Sequence, residues 1–212
     1  MTVVGGTTEG SDPRGEAMPG LSSRREILKV AIAGGGLLLG GLAVENVLGA
    51  TQATPSAAQD RQILNYALLL EYLQAAFYEE ALAHGRLQGE LREFAEVVGG
   101  HERAHVAFLE RALAAHARSK PTFTFGRATR DPKKFAATAR VLEDAGVAAY
   151  NGQAANLTKA ALAPAVEIVS VEGRHAAWIR DIVGIEPAPR AADPGATVAE
   201  ITAKLKSLGF VR

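Results

Sequence analysis

The chain has 212 residues, a formal net charge of +0, five histidines and no cysteine. Without a Lys or Arg cluster, this charge balance disfavours a nucleic-acid surface or a polyanionic substrate, and the lack of cysteine excludes disulfides, thiolate metal sites and cysteine nucleophiles. A composition that is 48% hydrophobic and only 6% aromatic predicts one mostly helical domain. Because the chain has no cysteine, any bound metal must use oxygen and nitrogen ligands.

The first 58 residues are predicted to be an export segment. The residues before Arg24 are rich in Gly, Ser, Thr and Pro, so they cannot bury a core and should be disordered. Arg24-Arg25 precede an uncharged apolar run over 30–44, which resembles a twin-arginine signal with Ile27 in place of the usual Phe. The resemblance implies a periplasmic or extracellular protein. An uncleaved membrane anchor is the alternative, although the run is short for a membrane span.

Two amphipathic helices are predicted next, over about residues 59–84 and 87–117. Apolar side chains recur on one face of each helix at helical spacing. The apolar face of the first helix contains Glu71, and that of the second contains Glu102 and His105. Because only a short glycine-containing connection separates them, the two helices should be antiparallel neighbours.

The second half of the chain repeats this pattern after a long connection. Residues 118–130 have no helical period, and their extended reach of about 43 Å is enough to return along a helix of this length. The next helix carries Glu143 in its apolar face, and the one after it carries Glu172 and His175. The third helix is predicted over about residues 132–155. The fourth is predicted to begin between residues 159 and 164 and to end at about residue 183.

The chain is thus predicted to comprise the segment 1–58, a four-helix bundle over 59–184 and a tail over 185–212. The long connection is a crossover between the second and third helices. The tail is rich in proline and ends in a short amphipathic helix of about 198–208, which we interpret as a packing or partner surface.

The two halves of the bundle share one spaced motif, a Glu followed after about thirty residues by Glu-x-x-His. A single Glu-x-x-His match carries little weight. On a helix, however, this spacing places a carboxylate and an imidazole on the same face, and the motif occurs twice. Its members are Glu71 with Glu102 and His105, and Glu143 with Glu172 and His175.

Four carboxylates in the middle of apolar faces require neutralisation, because an unpaired buried charge costs several kcal/mol. Two divalent cations would balance the four negative charges. Oxygen-rich sites with one histidine each suit iron or manganese, whereas zinc fits these ligands less selectively. The sequence therefore predicts a site for two Fe or Mn ions, held by Glu71, Glu102, His105, Glu143, Glu172 and His175.

Over about residues 59–183 these residues resemble the ferritin-like superfamily, and more narrowly its exported, desiccation-related branch. One Glu from each of two helices and Glu-x-x-His from each of the other two form the ligand set of di-iron and di-manganese carboxylate bundles. The resemblance implies terminal ligation by Glu71 and Glu143, bridging by Glu102 and Glu172, and ligation of one metal each by His105 and His175.

The activity is less determined than the ligands. Members of this superfamily oxidise ferrous iron, reduce or dismutate peroxide, or have no assigned reaction, so the resemblance does not carry an activity over. We expect a di-metal oxidoreductase that reacts with a small oxidant, dioxygen or peroxide, through iron oxidation or peroxide detoxification. The alternative is a non-enzymatic stress- or desiccation-related protein with a structural metal site. An enzyme needs open coordination and access for the oxidant, and helical periodicity does not reveal access.

His101 introduces a competing motif, because residues His101 to His105 also match the His-Glu-x-x-His pattern of zinc proteases. That interpretation leaves the second Glu-x-x-His unexplained, since Val171 and not histidine precedes Glu172. In the preferred interpretation His101 lies at the rim or contacts a ligand and is dispensable for metal content. Loss of His105 or of His175 should then deplete metal to a similar extent.

Tyr78 and Tyr150 each follow a terminal-ligand Glu by seven residues, so they should lie two turns along the same inner faces. A hydrogen bond to a ligand is possible for either hydroxyl. We expect symmetric packing of two aromatic rings instead.

Overall fold

The computed structural model describes residues 54–210, which contain five α-helices and no β-strand. The helices are α1 (Ala57–Ala83), α2 (Gly89–Leu113), α3 (Pro132–Gln153), α4 (Lys159–Ile182) and α5 (Val198–Leu208). The predicted all-α bundle of four helices with a short C-terminal helix is confirmed. The twin arginines and the apolar run of the expected signal lie outside the described residues. Among the helices that are described, none combines the length and the apolarity needed to cross a membrane.

Side chains at the helix starts explain where the helices begin. Ser56, Asp131 and Thr158 accept hydrogen bonds from backbone N–H groups in the first turns of α1, α3 and α4. These N–H groups have no partner within the helix, so each cap stabilises its helix by about 1 kcal/mol. Thr197 and Glu200 form a reciprocal capping box at the start of α5.

Two helix starts refine the sequence prediction. Helix α2 begins at Gly89, and Leu87, where the predicted helix began, lies in the connection and is buried in the core. Helix α4 begins at Lys159, where Thr158 caps it, and Pro164 lies inside this helix. The predicted boundaries are therefore correct to within a few residues, as helix ends allow.

The four long helices pack as two antiparallel pairs, α1 with α2 and α3 with α4. The predicted long crossover joins the pairs between His116 and Pro132. Its Phe125 is buried in the core, and the backbone N–H of Thr124 donates a 3.0 Å hydrogen bond to the carbonyl oxygen of Phe210. The crossover and the C-terminal end thus close the same end of the bundle.

The core consists of two apolar clusters with a polar layer between them. One cluster contains Phe77 and Phe135, whose rings stack 5.1 Å apart. The other contains Leu68, Leu109 and Ile168. In each long helix the buried acidic residue lies between residues of the two clusters, so the polar layer has apolar packing on both sides.

The tail packs against the outside of the bundle. Ile201 of α5 is buried against Leu70 of α1 and Ala145 of α3. The backbone N–H of Ala196 donates a 2.8 Å hydrogen bond to the carbonyl oxygen of Ala148. The sequence left open whether the tail is a packing surface or a partner surface. This part of the tail is a packing surface.

Candidate metal centre

All six side chains of the repeated motif lie together at the centre of the bundle. Helices α1 and α3 contribute one carboxylate each, and α2 and α4 each contribute a carboxylate and an imidazole one turn apart. The carboxylates are at most 1% exposed and the imidazoles at most 9%. The residues are Glu71, Glu102, His105, Glu143, Glu172 and His175.

The six residues form two overlapping groups, and within each group the candidate ligand atoms lie within 4.8 Å of one another. Site 1 consists of Glu71, Glu102, His105 and Glu172. Site 2 consists of Glu102, Glu143, Glu172 and His175. Glu102 and Glu172 belong to both sites, which is the arrangement that bridging carboxylates require.

In site 1 the Nδ1 atom of His105 faces three carboxylates. It lies 3.3 Å from Oε2 of Glu71, 3.5 Å from Oε2 of Glu102 and 3.2 Å from Oε1 of Glu172. One nitrogen and three oxygens from three helices thus converge on one point, which suits a divalent cation with oxygen and nitrogen ligands.

Site 2 repeats this geometry on the other side of the shared carboxylates. The Nδ1 atom of His175 lies 3.2 Å from Oε1 of Glu102 and 3.2 Å from Oε2 of Glu143. Its distance to Oε1 of Glu172 is 3.9 Å. Glu102 therefore turns one carboxylate oxygen towards each imidazole.

Burial sets the protonation of the metal-free site. Burial raises the pKa values of Glu102 and Glu172 well above the ordinary value, and neighbouring carboxylates add to this effect. Burial lowers the pKa of His105, but the surrounding carboxylates favour its charged form, outweigh burial and raise this pKa to about 12. Burial would also raise the pKa of Glu71, but His105 outweighs it and the pKa is lowered. Protons thus occupy the site when no cation neutralises it.

The residues present fit a pair of metal ions. Within residues 54–210, each of the six side chains has at least one buried oxygen or nitrogen atom without a hydrogen-bond partner. Buried polar atoms are rarely left in this state, and here the atoms face one another. Two divalent cations would satisfy them and balance the four carboxylate charges.

Two tyrosines donate hydrogen bonds to Glu143 and Glu71, so the expectation of mere aromatic packing is wrong. The hydroxyl of Tyr78 on α1 donates to Oε1 of Glu143 on α3. The hydroxyl of Tyr150 on α3 donates to Oε1 of Glu71 on α1 over 2.7 Å. A buried phenol needs a hydrogen-bond partner, and the carboxylates of the opposite helices supply it.

Two residues beside the candidate ligands were not predicted from the sequence. Gln74 is 3% exposed, and its Nε2 donates to Oε1 of Glu143 over 3.2 Å. Gly146 leaves the space that Glu172 occupies, because a Cβ atom at this position would lie 2.6 Å from Oε2 of Glu172. Gln74 lies one turn after Glu71, and Gly146 lies one turn after Glu143. A polar residue and a glycine at this spacing on an inner face were the available signal.

His101 belongs to neither group of candidate ligands. Its side chain is exposed, and its Nδ1 lies 2.9 Å from Nε2 of His175, with the two rings nearly parallel. Partial burial of the ring and the neighbouring His175 lower the pKa of His101, so its neutral ring can accept a hydrogen bond from Nε2 of His175. This position agrees with a residue that contacts a ligand and disfavours the zinc-protease interpretation, which needs His101 on the metal.

A cleft between α2 and α4 leads from the surface to both imidazoles. Its volume is about 440 Å³, which is ample for a small oxidant. Its walls include His101, His105, Arg174, His175 and Trp178. The cleft therefore brings solvent to the outer edges of both imidazoles, while the nitrogen atoms that face the carboxylates stay buried.

The family model for the ferritin-like domain matches residues 59–185 of the chain, which covers all four long helices and all six residues of the two sites. A search of the curated proteins found no significant match.

Proposed function

Because this chain belongs to the ferritin-like domain family, we propose that it is an exported protein that binds two iron or manganese ions and reacts with dioxygen or peroxide. The reaction is iron oxidation or peroxide detoxification. The observation that carries this proposal is the pair of overlapping buried sites that share Glu102 and Glu172.

In this proposal Glu71 and His105 each hold the ion at site 1, and Glu143 and His175 each hold the ion at site 2. The two shared carboxylates serve both ions. Iron or manganese supplies the one-electron chemistry that reaction with dioxygen or peroxide requires. The protein's own part is to fix the ligands and to exclude bulk water, because the apolar clusters enclose the polar layer on both sides.

The cleft at His105 and His175 supports a reactive role over a purely structural one. A structural metal site is typically closed, whereas a catalytic site keeps an open position. The cleft reaches the imidazole side of both sites, and a molecule as small as dioxygen or peroxide can enter it. Larger substrates are disfavoured because the ligand carboxylates themselves are buried.

Metal content of the purified protein tests the binding part of the proposal. We expect close to two iron or manganese ions per chain after expression in metal-replete medium. Glu102→Gln and Glu172→Gln should cause the largest losses, because each removes a ligand charge from both sites. Glu167→Gln is the matched control, since Glu167 is exposed on the same helix as Glu172. Fewer than one ion per chain would refute the dinuclear site, and zinc alone would count against redox chemistry.

Reaction of the metal-loaded protein tests the second part. We expect the metal-loaded protein to consume oxygen when ferrous iron is added, or to consume added peroxide. The Glu102→Gln variant should lose this activity, and the Glu167→Gln variant should keep it. A protein that binds two ions but consumes neither oxidant would be the non-enzymatic alternative, in which the metals only stabilise the bundle.

The export part of the proposal is supported by Arg24-Arg25 and the apolar run that follows. Proteins that use the twin-arginine route are exported folded, so both sites could be loaded in the cytoplasm. Changing Arg24 and Arg25 to lysine should leave unprocessed precursor in the cytoplasm, as detected by fractionation and immunoblotting. Normal processing of this variant would instead indicate an ordinary secretory signal.

A further inference from the structure

The repeated motif makes the two sites equivalent in their ligands but not in the side chains around them. Gln74 follows the first terminal Glu by three residues, and its counterpart after the second is Gly146. His101 precedes the first Glu-x-x-His motif directly, and its counterpart before the second is Val171. In both pairs one member can form a hydrogen bond through its side chain and the other cannot.

Both of these polar residues act on site 2. Gln74 and Tyr78 each donate a hydrogen bond to Oε1 of Glu143. The corresponding oxygen of Glu71 in site 1 receives a hydrogen bond from Tyr150. Gln74 is buried with its amide directed at the carboxylate. Oε1 of Glu143 therefore has two side-chain donors, whereas Oε1 of Glu71 has one.

The imidazoles differ in the same direction. Nδ1 of His175 faces the site 2 carboxylates. With a metal ion on this nitrogen the ring proton would lie on Nε2, which is 2.9 Å from Nδ1 of His101 and could donate to it. A hydrogen bond at the second ring nitrogen fixes the tautomer and the orientation of a ligating histidine. At the corresponding place beside His105 the chain has Val171, which lines the same cleft. His105 is also the more exposed ligand, at 9% against 3% for His175.

We infer that the two metal positions are unequal, that site 2 binds its ion more tightly, and that Gln74 and His101 are the positioning residues responsible. Site 1, which includes the more exposed His105, holds the ion that exchanges more readily with metal ions in solution. The inference rests on the proposed dinuclear site and goes beyond it by distinguishing its two positions. Contacts of this kind change metal affinity by about 10–100-fold, so site 2 should be at least tenfold tighter.

The experiment isolates one site at a time, because repulsion between two ions weakens the second binding step even in a symmetric centre. His105→Ala leaves site 2 with its imidazole, and His175→Ala leaves site 1 with its imidazole. Mn²⁺ is titrated into each full-length variant after metal removal, and the dissociation constant is measured by calorimetry and by the EPR signal of free Mn²⁺. We expect the remaining ion to bind at least tenfold more tightly in His105→Ala. Equal affinities, or the reverse order, would overturn the inference.

The roles of the two positioning residues are then tested in both backgrounds. Gln74→Leu and His101→Ala should each weaken Mn²⁺ binding about tenfold in the His105→Ala background and leave it unchanged in the His175→Ala background. His101→Asn should restore binding, because its amide oxygen can accept from Nε2 of His175. Val171→Ala is the matched control and should change neither background. Losses that are the same in both backgrounds would mean general damage to the bundle and would contradict the assignment.

If His105→Ala or His175→Ala does not fold, the inference is tested in the unmodified chain. In that case Gln74→Leu and His101→Ala are compared with the unmodified chain, and we expect the tighter of two Mn²⁺ binding steps to weaken while the other is unchanged. Equal weakening of both steps would refute the inference. Failure of the proposed function is a separate result, since the unmodified chain would then bind fewer than one Mn²⁺.

Discussion

The hydroxyl group of Tyr150 on α3 donates a 2.7 Å hydrogen bond to Oε1 of Glu71 on α1. The bond holds a buried carboxylate whose other oxygen faces His105. Tyr150→Phe removes the donor and leaves Glu71 less well oriented, so we predict about tenfold weaker metal binding at site 1. Competition titration with a metal-sensitive chelator measures this change.

Tyr72→Phe is the control for that variant. Tyr72 also lies on a bundle helix and donates a 2.6 Å hydrogen bond to a carboxylate, Glu110, which lies outside both sites. Its loss should lower the free energy of unfolding by about 1 kcal/mol without changing metal affinity. If Tyr72→Phe weakened metal binding as much as Tyr150→Phe, the hydrogen bond to Glu71 would have no specific role.

Gly146→Ala is predicted to damage the metal centre although alanine favours helices. Alanine in a helix interior is favoured over glycine by about 1 kcal/mol, yet the added Cβ would lie 2.6 Å from Oε2 of Glu172. Because Glu172 belongs to both sites, we expect loss of both ions. Elemental analysis of the purified variant measures this loss.

Gly173→Ala provides the matched comparison, because it follows Glu172 directly and a Cβ there would meet no atom within 4 Å. This variant should keep its metal and unfold at the same or a higher temperature. Retention of both ions by Gly146→Ala would show that Glu172 can move without cost.

The stability of the metal-free protein should fall as the pH rises from 6 to 8. Folding raises the pKa values of Glu102 and Glu172 above 4.5, and that of His105 from 6.5 to about 12. A raised pKa means that the folded state binds more protons, so the stabilisation present at low pH is lost as pH increases. The lowered pKa of Glu71 acts in the opposite direction, but its effect is complete once the pH exceeds its ordinary value of 4.5.

Thermal unfolding in the presence of a chelator measures this pH effect. We expect a lower midpoint at pH 8 than at pH 6 without metal, and loss or reversal of the difference with Mn²⁺, because metal binding displaces the protons. The double variant with Glu102→Gln and Glu172→Gln should show a smaller pH dependence. A metal-free midpoint that rose between pH 6 and 8 would contradict this account.

Gly152→Ala is predicted to detach the tail from the bundle. A Cβ atom at Gly152 would overlap the backbone of Ala196, which is hydrogen-bonded to α3 at Ala148. Overpacking of this kind costs about 1–3 kcal/mol, so protease cleavage between α4 and α5 should become faster while the metal content stays the same. Gly100→Ala, whose Cβ would meet only the end of Arg103 at 3.8 Å, should leave cleavage unchanged.

The sequence by itself determined the four helices, the crossover and the six residues that converge. Helical periodicity fixes which face a residue occupies, so an acidic residue in an apolar stripe must be buried once the stripe is packed. The repeat of Glu71, Glu102 and His105 as Glu143, Glu172 and His175 then required a common centre, because isolated buried carboxylates are too costly.

Only the tertiary structure decided what surrounds that centre. Tyr78 and Gln74 on α1 both donate hydrogen bonds to Glu143 on α3. His101 on α2 contacts His175 on α4. Periodicity gives the face of a residue but not its partner on another helix, because the partner depends on the crossing of the helices and on the rotamers that packing allows. For this reason the sequence repeat predicted two equivalent metal positions, while the packing of side chains from four helices makes their surroundings unequal.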